Sequence, residues 1–167
     1  MESHYTGSQP PPKLSKTEII RVTTSEAQQF CILSKAIFGQ WIHWYGNRSH
    51  ECKRDVGTCS RCLDGQPAKF LGYLYVIDMR ALYPSFLELT HSACDLLVKQ
   101  APPGRNLRGL NVRIKKTKGG PKGRYLVEVL ERTTDPETLP DEKDPRDTLK
   151  FLWNCKKQRS SPSEASV

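Results

Sequence analysis

KFLGYLYVID, running from Lys69 to Asp78, is the stretch that decides the fold class. Aromatic and β-branched side chains dominate it, and Tyr73, Tyr75 and Ile77 alternate with Leu74 and Val76. That period of two belongs to a strand. Upstream, Ala36 to Tyr45 reads as a second strand, with Phe38, Ile42 and Trp44 on one face and Ile37, Trp41, His43 and Tyr45 on the other. Further upstream, Ile19, Ile20, Val22, Phe30, Ile32 and Leu33 mark an irregular or bulged first strand region. Downstream, Ser85 to Leu89 extends briefly, and Thr90 or Ser92 then caps a helix reaching about Gln100. Ala93, Leu96 and Leu97 supply its buried side, and Ala101-Pro102-Pro103-Gly104 stops it. Leu110, Val112 and Ile114 alternate with Asn111, Arg113 and Lys115. A glycine-rich turn follows, and the chain returns from Arg124 to Leu130 as a hairpin with one basic face.

This order predicts a mainly β protein: a five-stranded OB-like barrel with one helix between strands three and four and an inserted zinc loop. The domain spans 17–131, with the zinc loop at 43–66. A flexible arm covers 1–16, a Pro-rich acidic linker 132–147, and a short helix with a disordered tail 148–167.

The zinc loop is HWYGNRSHECKRDVGTCSRC, His43 to Cys62. Cys59-x-x-Cys62 places two sulfurs on one side of a tight turn, the spacing a tetrahedral zinc ion takes. Cys52 and an upstream imidazole complete a closed Cys3His set, with His43 the expected ligand and His50 the alternate. Such a zinc ion is structural; a catalytic one would keep an open position, and no His-x-Glu precedes the Cys pair as a deaminase requires. Cys31, Cys94 and Cys155 are expected as small apolar side chains of a reducing compartment, not as disulfides.

The 167 residues carry a formal charge of +8. Between Arg105 and Arg124 there are eight Lys and Arg and no acid, so that segment alone equals the excess of the whole chain. A field so concentrated attracts polyanions, and phosphate contacts release counterions. The sequence has no run long enough to span a membrane, no Walker loop and no triad-like cluster. The expectation is an intracellular, cytoplasmic or nucleoid-associated binding protein and not an enzyme; its oligomeric state is open.

His43-Trp44, Cys52, Cys59-x-x-Cys62, then Lys69 to Tyr73, and Leu107-x-Gly109-Leu110-x-Val112-x-Ile114 together resemble small phage and bacterial single-stranded-DNA-binding-like proteins. The His-then-three-Cys loop is similar in ligand types to the zinc-containing single-stranded DNA-binding proteins of T-even bacteriophages, with shorter spacings here. The resemblance covers roughly 36–130. It implies an OB-fold, structural zinc and sequence-independent binding of single strands in replication, recombination or repair.

Single strands are held by a cationic groove and by aromatic faces on which bases stack. The candidate stacking residues are Trp41, Trp44, Tyr45, Tyr73, Tyr75 and Tyr125, with Tyr73 and Tyr75 on the same face as Lys69. Arg113, Lys115, Lys122 and Arg124 are the candidate phosphate contacts. RNA is the competing partner, because stacking and phosphate contacts serve both polymers, and a protein-interaction zinc module is the third reading.

Overall fold

The computed structural model describes residues 19–22, 26–119 and 123–150. Its strands are β1 (Ile19–Arg21), β2 (Gln28–Ile32), β3 (Phe38–Tyr45), β4 (Arg48–Glu51), β5 (Lys69–Asp78), β6 (Pro84–Thr90), β7 (Asn111–Lys116) and β8 (Tyr125–Val129). The helices are α1 (Ser60–Leu63) and α2 (His91–Gln100). The eight strands form one open, mixed sheet of order β1-β6-β5-β2-β7-β8, with β3 paired to β5 and β4 paired to β3. Among these ladders β1 on β6 is parallel and the others are antiparallel.

β5 organises the sheet. It pairs along β6, and on its other edge it meets β3 through Lys69 to Tyr73 and then β2 through Val76 to Asp78. Both of its faces are covered. Leu74 and Val76 join Phe30, Ile32, Leu87, Leu89, Val112 and Ile114 in the main core, which α2 closes with Ala93, Cys94 and Leu97. On the opposite face Leu71 and Tyr73 join Ile42 and Leu149 in a smaller cluster. Gly72 sits where α2 crosses, and a methyl group there would collide with the Cys94 sulfur.

The mainly β class and the order of the long elements follow the sequence reading, but the five strands expected become eight in an open sheet. β1 adds a parallel edge, β4 arises inside the expected zinc loop, and the brief extension at Ser85 to Leu89 is a full strand. Among the described residues no ladder joins β6 to β8. Burial, then the Glu88 carboxylate of β6, push the Tyr125 hydroxyl of β8 up.

α2 begins and ends where its caps predict, with the Thr90 side chain accepting from the Ala93 N–H at 3.4 Å. Its buried side differs: Cys94 takes the place expected for Leu96, which is exposed. At about 100° per residue Ala93, Leu97 and Cys94 fall within one stripe about 100° wide, and Leu96 lies outside it.

The stretch 132–147 is not a free linker. The Arg108 guanidinium donates to the carbonyls of Leu33 at 2.8 Å, Pro136 at 3.2 Å and Leu139 at 2.9 Å. The Asn111 amide donates to the Arg132 carbonyl at 2.8 Å. Residues 145–150 are helical and bring Leu149, 2% exposed, onto Ile42, Leu71 and Tyr73. Within the segment Asp135 caps a short 3-10 turn at Pro136–Thr138, its side chain accepting from the Glu137 N–H at 3.0 Å, and donors from the sheet and its loops supply the bonds that tie the segment down. The arm at 1–16, the tail from 151 onward with Cys155, and Lys122 lie outside the described residues. Among the described residues no helix is long and apolar enough to cross a membrane.

Candidate metal centre

β3 and β4 form a two-residue hairpin turning at Gly46 and Asn47, both at φ 58°. Two successive left-handed residues define the type I′ turn that matches the twist of paired strands. The register sets His43 opposite His50, and beyond the end of β4 the Cys52 N–H donates to the Trp41 carbonyl at 2.8 Å. Trp41, His43, Tyr45, His50 and Cys52 therefore share one face of the hairpin. Cys59 is the N-cap of α1 and Cys62 lies inside it; Gly65, at φ 74°, ends the turn with its N–H on the Cys62 carbonyl at 3.1 Å.

This arrangement brings His43, Cys52, Cys59 and Cys62 together, with one ligand atom from each, all within 4.8 Å of one another. The Cys52 and Cys62 sulfurs are 3.4 Å apart, and His43 Nε2 is 3.4 Å from the Cys59 sulfur and 3.5 Å from that of Cys62. Tetrahedral zinc with ordinary bond lengths would set sulfurs about 3.8 Å apart and nitrogen about 3.6 Å from sulfur. These three separations are within a few tenths of an ångström of that geometry and far from the roughly 2.05 Å of a disulfide. His43 is 1% exposed, and its Nδ1 lies 3.2 Å from the Pro67 carbonyl. A proton on Nδ1 donated to that oxygen leaves the Nε2 lone pair facing the three sulfurs, the orientation common to metal-bound histidines.

His50, the alternate ligand, is not brought in. Its ring stacks on Tyr45 at 3.6 Å and 5°, and its Nε2 lies 3.2 Å from the Tyr45 carbonyl. In an extended strand His50 and Cys52 lie on the same side, so alternation does not choose between the histidines; the stack on Tyr45 takes His50 away.

The surroundings favour thiolates at Cys59 and Cys52. The Cys62 N–H and then the Lys53 N–H, both directed at the Cys59 sulfur, hold that thiol down to about 6. Burial works against ionising Cys52, but the backbone N–H and guanidinium of Arg54, together with Cys62 and His43, outweigh it and hold this thiol below its ordinary range. Cys62 is pushed up, chiefly by the adjacent Cys52 sulfur. Arg54 donates from Nε to Cys52 at 3.4 Å and from Nη2 to Cys62 at 3.6 Å. Three thiols converging on one bare imidazole nitrogen are a donor set for a soft or borderline cation such as zinc.

The other candidate residues scatter. Tyr73 is 1% exposed and donates to Glu88 at 3.0 Å, so it belongs to the core and not to a stacking platform. Tyr75 is half-buried against Phe86 at 5.0 Å. Trp41 carries the Arg54 guanidinium over its ring at 4.4 Å, and Tyr45 carries Arg61 at 3.9 Å opposite its contact with His50. Trp44 projects from the other face of the hairpin and is 64% exposed. Lys69, Lys115 and Arg124 are exposed. Arg113 pairs with Glu128 at 3.0 Å, and Tyr125 is half-buried with Lys116 Nζ 5.7 Å from its ring centre. Arg108, counted within the basic segment, is taken up by three carbonyls.

Sequence reasoning missed β4, Arg54 and Pro67. Gly46-Asn47 between two extended runs is a readable hairpin signal. Arg54 and Pro67 carry no spacing signature, because a guanidinium or carbonyl reaches a metal ligand from any nearby turn. No protein-family model, curated protein or solved structure matches this chain.

Proposed function

We propose that this protein binds single-stranded nucleic acid, single-stranded DNA foremost, on an OB-like barrel braced by a structural zinc ion, and that it serves replication, recombination or repair without being an enzyme. The OB-like reading is supported by strand succession. When β2 and β3 are taken as one interrupted strand on the edge of β5, the remaining order is β6-β5-β2-β7-β8 with α2 between β6 and β7. A partly open five-stranded Greek-key barrel has that order, with β1 and the β3–β4 hairpin as additions. Zinc suits the four ligands, and a site closed by four protein ligands holds a loop in shape without leaving a position for substrate.

The observation that carries the binding role is the β7–β8 hairpin. Lys115, Lys116, Lys118 and Arg124 have no carboxylate within ion-pair distance among the described residues, while Val112, Ile114 and Val127 anchor the strands in the core. The surface is thus cationic and held by a rigid scaffold, as phosphate recognition requires. Among the described residues Trp44 is the candidate stacking ring that stands open.

Competition among single-stranded DNA, duplex DNA and RNA over a range of salt concentrations tests the reading. A Lys115→Glu, Lys118→Glu, Arg124→Glu variant is expected to weaken single-strand binding and lower the salt slope by about 0.7 for each phosphate that is no longer neutralised. Equal binding by parent and variant overturns it. A clear preference for RNA moves the function to the competing polymer.

A further inference from the structure

We propose that Arg54 is a positioning residue of the metal centre, a clamp that offsets the negative charge of a three-thiolate zinc site and keeps Cys52 and Cys62 committed to the ion. The inference rests on reading His43, Cys52, Cys59 and Cys62 as zinc ligands, and concerns what governs metal retention there. Three thiolates and a neutral imidazole around a divalent cation leave one unit of negative charge in a partly buried place. An arginine remains charged at any physiological pH and presents two donors along one edge in a fixed plane. Here that edge faces two ligands together, Nε to Cys52 at 3.4 Å and Nη2 to Cys62 at 3.6 Å. The flat face of the guanidinium rests on Trp41 at 4.4 Å, which fixes the plane of the fork.

No other described cation does this. Arg61 is turned onto Tyr45 at 3.9 Å, and Arg54 has no carboxylate within ion-pair distance among the described residues to draw it off. Arg54 contacts the sulfurs of Cys52 and Cys62 but not that of Cys59, whose donors are backbone N–H groups. That asymmetry gives the clamp a signature. With zinc holding all three sulfurs as thiolates, one that is hydrogen-bonded and charge-offset is the weaker nucleophile, so removing Arg54 should expose two of the three cysteines selectively.

The test uses the full chain loaded with zinc, as parent, Arg54→Met and Arg54→Lys. Zinc affinity is read by competition with a chromogenic chelator, site-resolved alkylation by iodoacetamide and mass spectrometry, and folding by circular dichroism. Arg54→Met is expected to lower zinc affinity about 10–100-fold, the usual cost of removing a hydrogen-bond partner of a metal ligand. Alkylation should accelerate at Cys52 and Cys62 ahead of Cys59. Arg54→Lys, which keeps the charge but cannot span both sulfurs, should fall between. Parental affinity in Arg54→Met, or equal acceleration at all three cysteines, overturns the clamp. If Arg54→Met does not fold, Arg54→Lys decides by the same alkylation order. A parent chain that holds no zinc overturns the metal reading itself, an outcome separate from the failure of the clamp alone.

Discussion

The hydroxyl of Tyr73 donates to the carboxylate of Glu88, its direct partner across β5 and β6, at 3.0 Å. Burial, then Glu88, push that hydroxyl well above the ordinary tyrosine range, and Arg21 holds the carboxylate from the other side at 2.8 Å. Tyr73 is therefore a structural ring. Tyr73→Ala should cost about 3–5 kcal/mol in urea unfolding, the range for emptying a large aromatic site. Tyr73→Phe should cost only about 0.5–1.5 kcal/mol, because Arg21 still satisfies Glu88. A fully stable Tyr73→Ala chain would contradict this placement.

Metal content separates the two histidines. Purified parent protein should contain one zinc per chain by elemental analysis, and His43→Ala, Cys59→Ser and Cys62→Ser should lose it. His50→Ala should keep it, since its ring is stacked on Tyr45. Metal loss in His50→Ala with retention in His43→Ala would reverse the assignment.

Within the basic hairpin, Arg113 and Lys115 should differ although they point the same way. Arg113 is already paired with Glu128 at 3.0 Å, whereas Lys115 is not paired among the described residues. Lys115→Ala should weaken nucleic-acid binding more than Arg113→Ala in titrations at low salt. Both changes should shift stability by less than about 1 kcal/mol, as exposed charges do.

Gly72 should tolerate no side chain. A Cβ there meets the Cys94 sulfur of α2 and the Ile37 side chain, so Gly72→Ala forces helix and sheet apart. Overpacking of this kind costs about 1–3 kcal/mol. Gly72→Ala combined with Cys94→Ala should recover part of the loss, and a double variant no better than the single one would place the strain elsewhere.

The outer edge of β8 is guarded by Gln100. Its amide donates to the Val127 carbonyl at 2.6 Å and accepts from the Val129 N–H at 3.1 Å, as a neighbouring strand would. Gln100→Glu keeps the acceptor but sets a carboxylate against a carbonyl. The expected result is faster hydrogen exchange along β8 and a lower Tm; unchanged exchange would mean that the edge needs no guard.

What the sequence disclosed and withheld follows from which residues obey a simple period. β7 is polar on one face and apolar on the other, so the exposure of Arg113 and Lys115 and the burial of Val112 and Ile114 are readable. β5 is covered on both faces, so Leu71 and Tyr73 look no different from Leu74 and Val76, and alternation cannot tell which ring is open. The four candidate metal ligands were recognisable because three thiols and an imidazole at short spacing have few other uses. Trp41 and Tyr45 were not separable from Trp44, because the arginines lying over them come from the loop after β4 and from α1, whose course no pattern in the chain reveals. The acidic stretch read as a linker for a related reason: the bonds that fasten it to the sheet are made by Arg108 and Asn111, outside itself.

Those bonds move the boundary of the smallest autonomous piece of this chain. A fragment stopping at Leu130 would leave Arg108 without the Pro136 and Leu139 carbonyls and would bare Ile42, Leu71 and Tyr73, which Leu149 now covers. The apolar surface so opened would invite self-association, and the Leu149 anchor alone is worth about 2–5 kcal/mol, the range for deleting a buried leucine. Residues that look like a tether between sheet and tail are thus the lid of its second core, and the folding unit ends no earlier than Leu149.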